Sequence, residues 1–230
     1  MHVKLLFMRI FAVLVVLMTM NSISLAEERK AVPSLENMVL KDTSYIWEQI
    51  FAYHGKTYTP PQMQTFSGES KSDCHKLSNQ SEHTPFYCPA ERTIYIDENY
   101  MRNVKNKHSA HNNFAAAYII AHEVGHHVQQ EWGILDAVRK MPTTDSDQEQ
   151  NKRIKNIELM ADCLAGVWAS RQEGYLYNYM IEDGLRAAMQ QFNENPEQAI
   201  KIAHAPTHGS LSERIYWFKQ GYHGRRVKNC

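Results

Sequence analysis

A chain of 230 residues that is 43% hydrophobic and 22% charged has material for one well-buried core, and at most two small ones. Its 25 lysines and arginines balance 25 aspartates and glutamates, and no dense basic block or basic-aromatic repeat runs along it, so nucleic acid is not an expected partner. Twelve histidines are many for this length, and neutral imidazole is the commonest side-chain metal ligand, so the composition points towards metal.

At the N-terminus, Lys4 and Arg9 precede an apolar stretch over residues 10–20, followed by Ser24, Leu25 and Ala26. This pattern predicts a signal peptide over residues 1–26, cleaved after Ala26, with one domain over 27–230. The rival is a membrane anchor kept by an uncleaved segment, but residues 10–20 are short against the roughly 20 apolar residues a spanning helix needs. The expected destination is periplasmic or secreted, with no stable membrane span after cleavage. An oxidising compartment lets cysteines pair. Cys74 and Cys88 flank a polar, loop-like segment, and a bridge closing a loop of about 15 residues contributes on the order of 3 kcal/mol. Cys163 lies in an apolar helical stretch and reads as a buried free thiol; Cys230 carries no signal of its own.

Apolar side chains at helical spacing predict a first helix over residues 35–53, ended by Gly55 and by Pro60 and Pro61. Residues 63–96 break into short runs separated by Ser, Gly, Asn and Pro, which suggests a small antiparallel sheet with its clearest strand at 93–96. A helix over 113–131, stopped by Gly133, comes next. Ser146 and Glu149 have capping-box spacing, so a long helix starts there and runs to about Ser170. A further helix covers 178–192, and Ser210 with Glu213 repeats the box ahead of a last short helix over 214–218. The fold class is therefore α+β and mainly helical.

His122, Glu123, Val124, Gly125 and His126 form an H-E-x-x-H arrangement. On a helix its two histidines stand one turn apart on one face and can reach a single ion. Glu123 is turned about 100 degrees from His122, beside the ligand row, where its carboxylate can act as general base without occupying a coordination position. The back of this helix, Ala117, Ile120, Val124 and Val128, is an apolar stripe for the core. In a chain this rich in histidine the motif arises by chance in roughly one of twenty such compositions, so a third ligand is needed. A histidine six residues after His126 would complete one known pattern, but Trp132 stands there. Glu158 is the better candidate, with Asp162 one turn on and able to accept the N–H of a ligand histidine. Ala161, Ala165 and Ala169 line the same side, and small residues opposite Gly125 let two helices approach closely. His127 points away from the ligand row and reads as packing or surface; His204 is uncommitted.

With those residues in place, the chain resembles the bacterial family described as putative neutral zinc metallopeptidases, of the gluzincin type. The resemblance rests on Phe86 to Ala90 through Tyr95 to Asp97, on Ala121 to Gln129, on Glu158 and Leu159 with Ala161 to Trp168, and on Thr207 to Ser210 with Arg214, Trp217 and Phe218. It departs at Met160 and His75, neither of them a proposed ligand. The resemblance implies a zincin-like domain with zinc on His122, His126 and Glu158, Glu123 as the catalytic base and a peptide or protein substrate. His208 is a candidate hydrogen-bond donor to the reaction's oxyanion, or a residue that orients the last helix. By analogy with zinc peptidases, the strand at 93–97 offers an edge to an extended substrate. The alternative is a non-catalytic, zinc-stabilised binding module of the cell envelope. A deformylase would also use H-E-x-x-H, but it would want a cysteine ligand, and Cys88 is better explained by a bridge to Cys74.

Overall fold

The computed structural model describes residues 34–68, 72–74, 84–106, 112–141, 146–172, 178–193 and 208–230. The predicted signal peptide, His75 and His204 lie outside them. Helix α1 (Leu35–Tyr53) starts where the Ser34 hydroxyl accepts the Asn37 N–H, and it buries Val39, Ile46, Trp47, Ile50 and Phe51. Three strands follow: β1 (Gln62–Phe66), β2 (Phe86–Cys88) and β3 (Thr93–Asp97). All five residues of β3 are buried, so both its faces are covered. The Asp97 carboxylate ends this strand by accepting the Tyr100 N–H at 2.8 Å, which opens α2 (Glu98–Asn106), a helix not anticipated from sequence.

The sheet is mixed rather than antiparallel. Its order is β1-β3-β2, with β2 antiparallel to β3 and β1 parallel to it. The β2–β3 turn is tight, with Arg92 at φ 52°, whereas 26 residues separate β1 from β3, enough for the crossover that parallel pairing requires. This also overturns β3 as a docking edge: paired on both sides, it is the central strand, as its continuous burial demands.

Helix α3 (Asn112–Glu131) runs through the core, with Ala115, Ala116, Ile120, Val124 and Val128 all buried. After it, Gly133 takes φ 79°, the left-handed conformation expected of a helix stop, and leads into a short α4 (Ile134–Arg139). Trp132 stacks on Phe51 at 4.5 Å between ring centres, fastening the end of α3 to α1. Helix α5 (Asp147–Ala169) starts on the predicted Ser146–Glu149 capping box. Helix α6 (Asn178–Asn193) buries Ile181, Leu185 and Ala188. Helix α7 (Leu211–Gly224) starts on the Ser210–Glu213 box and is longer than the short helix expected, because its last turns pack on α5.

Helices α5 and α7 touch backbone to backbone. A Cβ on Gly221 would lie 1.8 Å from the Cys163 carbonyl oxygen, and one on Gly166 would lie 2.1 Å from that of Phe218. Cys163 is not a free thiol: it is bonded to Cys230, so the C-terminal residue is stapled to α5. The expectation failed because its partner lies 67 residues away, a pairing no local pattern reveals. The second bridge, Cys74–Cys88, lies over the outer face of the sheet beside Phe86 and Tyr95.

Candidate metal centre

The centre sits where α3 crosses α5. A Cβ on Gly125 would come within 2.9 Å of the Ala161 carbonyl oxygen, so glycine against alanine sets how closely the two backbones approach. That approach brings His122, His126 and Glu158 to one point. Their ligand-type atoms all lie within 4.8 Å of one another, with His122 Nε2 3.2 Å from Glu158 Oε2 and His126 Nε2 3.5 Å from Glu158 Oε1. Zinc bonds of 2.0–2.2 Å at the tetrahedral angle separate neighbouring ligand atoms by about 3.4 Å, so the donor set fits zinc in chemistry and spacing. The imidazole planes are nearly perpendicular, at 87°.

Each imidazole is held through its other nitrogen. His122 Nδ1–H donates to Asp162 Oδ1 at 2.9 Å. Asp162 is wholly buried and is gripped by Arg214, whose Nε and Nη2 donate to its two oxygens at 2.8 Å each. The Tyr118 hydroxyl donates to Asp162 at 2.5 Å and accepts from Arg214 at 2.7 Å. On the other imidazole, His126 Nδ1 lies 3.0 Å from Gln129 Oε1. His127 faces elsewhere, as expected: it bridges the Tyr87 hydroxyl and the Thr59 carbonyl, at 2.9 and 2.8 Å.

These contacts set the charges. Burial disfavours ionised Asp162, yet Arg214 and His122 outweigh it and hold its carboxyl at about 2. Burial likewise opposes protonation of His122, but Asp162 and Glu158 raise it to about 9, so the ring is drawn towards positive charge and a cation is electrostatically welcome there. Glu158 is pushed up by burial and pulled well below the usual carboxylate range by His126 and His122. Burial raises Glu123, only partly offset by the two histidines. His208 is half-buried at the entry to α7, close enough to feel Glu158, Arg214 and both imidazoles, and burial lowers its pKa. Of the predicted residues, Cys74 and Cys88 lie apart, at the sheet.

Arg214, Tyr118 and Gln129 were given no role from sequence. The available signals were an arginine beside Ile215 and Phe218 in an apolar helix face, and a glutamine three residues after His126.

The family model described as "Putative neutral zinc metallopeptidase" matches residues 17–230, and the chain belongs to that family. It is 35% identical to the uncharacterized protein YpfJ of Escherichia coli K12, over 93% of this chain and 78% of that one. It is 34% identical to the uncharacterized protein Rv2575 of Mycobacterium tuberculosis H37Rv, over 72% of this chain and 59% of the relative. No solved structure matches.

Proposed function

We propose that the chain is an exported, zinc-dependent peptidase in which His122, His126 and Glu158 hold the metal. The observation that carries this reading is the convergence of those three side chains, with both imidazoles held through their second nitrogens, on a point beside buried Glu123. Zinc held there would polarise a substrate carbonyl and acidify a water. Glu123 accepts the proton of the attacking water and delivers it to the leaving amine nitrogen, and its burial, which raises its affinity for a proton, suits that return step. His208, neutral at pH 7 because burial lowers its pKa, donates a hydrogen bond to the oxygen that becomes charged in the transition state. Substrate is a peptide or protein segment. Export, with the signal peptide over residues 1–26, is supported by two disulfides. No helix among the described residues is long and apolar enough to cross a membrane.

The test is Glu123→Gln in the purified protein. The variant should retain stoichiometric zinc while cleavage of a proteome-derived peptide library falls by at least about 100-fold. Unchanged turnover would remove Glu123 from the chemistry, and a wild-type protein that takes up zinc but cleaves nothing would favour a binding module.

A further inference from the structure

Gln129 is wholly buried, and both ends of its amide have a hydrogen-bond partner. Its Nε2 donates to the Ile157 carbonyl at 2.8 Å, and its Oε1 faces His126 Nδ1 at 3.0 Å. A backbone carbonyl can only accept, so the NH2 end of the amide must point at Ile157; the reverse orientation would press two oxygens together. The oxygen end therefore faces His126, and an amide oxygen also only accepts. His126 Nδ1 must then carry a proton, so in the neutral ring that a metal ligand has to be, the Nε2 lone pair is directed at the cluster beside Glu158.

We infer that Gln129 is the positioning residue of the second histidine: it selects the metal-competent tautomer of His126 and ties that choice to the backbone immediately before Glu158. The inference rests on the zinc reading above. Ile157 and Glu158 are consecutive on α5, while His126 and Gln129 are one turn apart on α3. One amide thus links a ligand on one helix to the residue that precedes a ligand on another, through a carbonyl that a helix otherwise commits to its own ladder. The two imidazoles are held asymmetrically. His122 is backed by an ionised carboxylate clamped by Arg214, His126 by a neutral dipole that adds no charge beside the centre.

Two variants separate positioning from packing. Gln129→Leu removes both hydrogen bonds at similar volume, and Gln129→Glu keeps an acceptor for His126 but cannot donate to Ile157. Zinc affinity is measured by competition with a chromophoric chelator, Co(II) spectra report the ligand geometry, and thermal unfolding of the metal-free proteins reports the fold. Gln129→Leu should weaken zinc by about 10- to 100-fold and shift the Co(II) bands. Gln129→Glu should retain more affinity than Gln129→Leu, because the His126 acceptor survives, while its metal-free form melts lower than wild type for want of the Ile157 bond. Equal zinc affinity in wild type and Gln129→Leu, with unshifted Co(II) bands, would overturn the inference while leaving the zinc reading intact. So would equal losses in the two variants, which is what packing alone predicts. A wild-type protein that binds no zinc would overturn both.

Discussion

The junction of α3, α5 and α7 and the three-stranded sheet are built by opposite means. At the junction, helices meet backbone to backbone through Gly125, Gly166 and Gly221, and the space left is filled by an ionic group of Asp162, Arg214, Tyr118 and His122. The sheet has one covered central strand, and among the described residues its outer face carries a small cluster, Phe86, Cys88 and Tyr95 with Phe66 and Cys74, closed by a disulfide. Buried ions demand rigid surroundings, because a partner displaced by an ångström leaves a charge without compensation. A small apolar cluster tolerates movement and is cheaply held by a covalent link. The candidate metal centre belongs to the first kind of structure.

The largest effect should come from one methyl group. Gly221→Ala puts a carbon where the Cys163 carbonyl stands, so α7 cannot seat and Arg214 is withdrawn from Asp162. A loss above about 4 kcal/mol is expected in urea unfolding, with zinc uptake abolished. Gly68, just beyond β1, is the control: it has φ 90° but no described atom within 4 Å of its missing Cβ, so Gly68→Ala should cost on the order of 1 kcal/mol of backbone strain and leave zinc binding alone. Similar losses from both would erase the contrast between the regions.

Arg214→Met comes next. It strands ionised Asp162 in the core, which costs about 3–5 kcal/mol. It also frees the carboxylate that orients His122, so zinc affinity should fall by about 10- to 100-fold. Denaturant unfolding of the metal-free protein and zinc competition read the two effects separately; lost stability with unchanged zinc affinity would reduce Arg214 to a structural ion.

The two disulfides sharpen the comparison further. Removing Cys163 and Cys230 as a pair of alanines opens the longer loop and should cost about 4 kcal/mol, against about 3 kcal/mol for Cys74 and Cys88. Zinc affinity should drop only for the first pair, which fastens the chain end to the residue following Asp162. An equal drop for the second would place the sheet within the metal centre's support.

What was legible in the sequence divides by range. His122, Glu123 and His126 are related by helix periodicity alone, and Ser146 and Ser210 announce α5 and α7 within three residues. The fit of Gly125 against Ala161 was readable because small residues stood on both predicted faces. The grip of Arg214 on Asp162 was not, since 52 residues separate them and an arginine in a helix is ordinarily solvated. The direction of β1 was hidden for a different reason: strand composition is indifferent to the sense of pairing. Helix α2 went unseen because its cap, Asp97, is also the last residue of a strand.

The smallest effect concerns how α7 begins. Glu213 accepts from the Ser210 backbone N–H, pairs with Lys155 of α5 and accepts from the Ser210 hydroxyl, and these contacts hold its carboxyl at about 2, below its ordinary 4.5. A carboxyl whose folded value is depressed adds stability that is fully present above about 4.5 and is lost as pH falls through about 2. The side chain is 42% exposed, so solvent screening reduces the contribution to a few tenths of a kcal/mol. Glu213→Gln retains an acceptor but no charge. Its unfolding free energy should match wild type only below about pH 2 and fall slightly below it above pH 4.5, a gap that added salt narrows. A difference constant across that range would mean that the cap's hydrogen bonds matter and its charge does not. In either case zinc affinity should be unchanged, because α7 is seated by Gly221 and Arg214, which the substitution leaves in place.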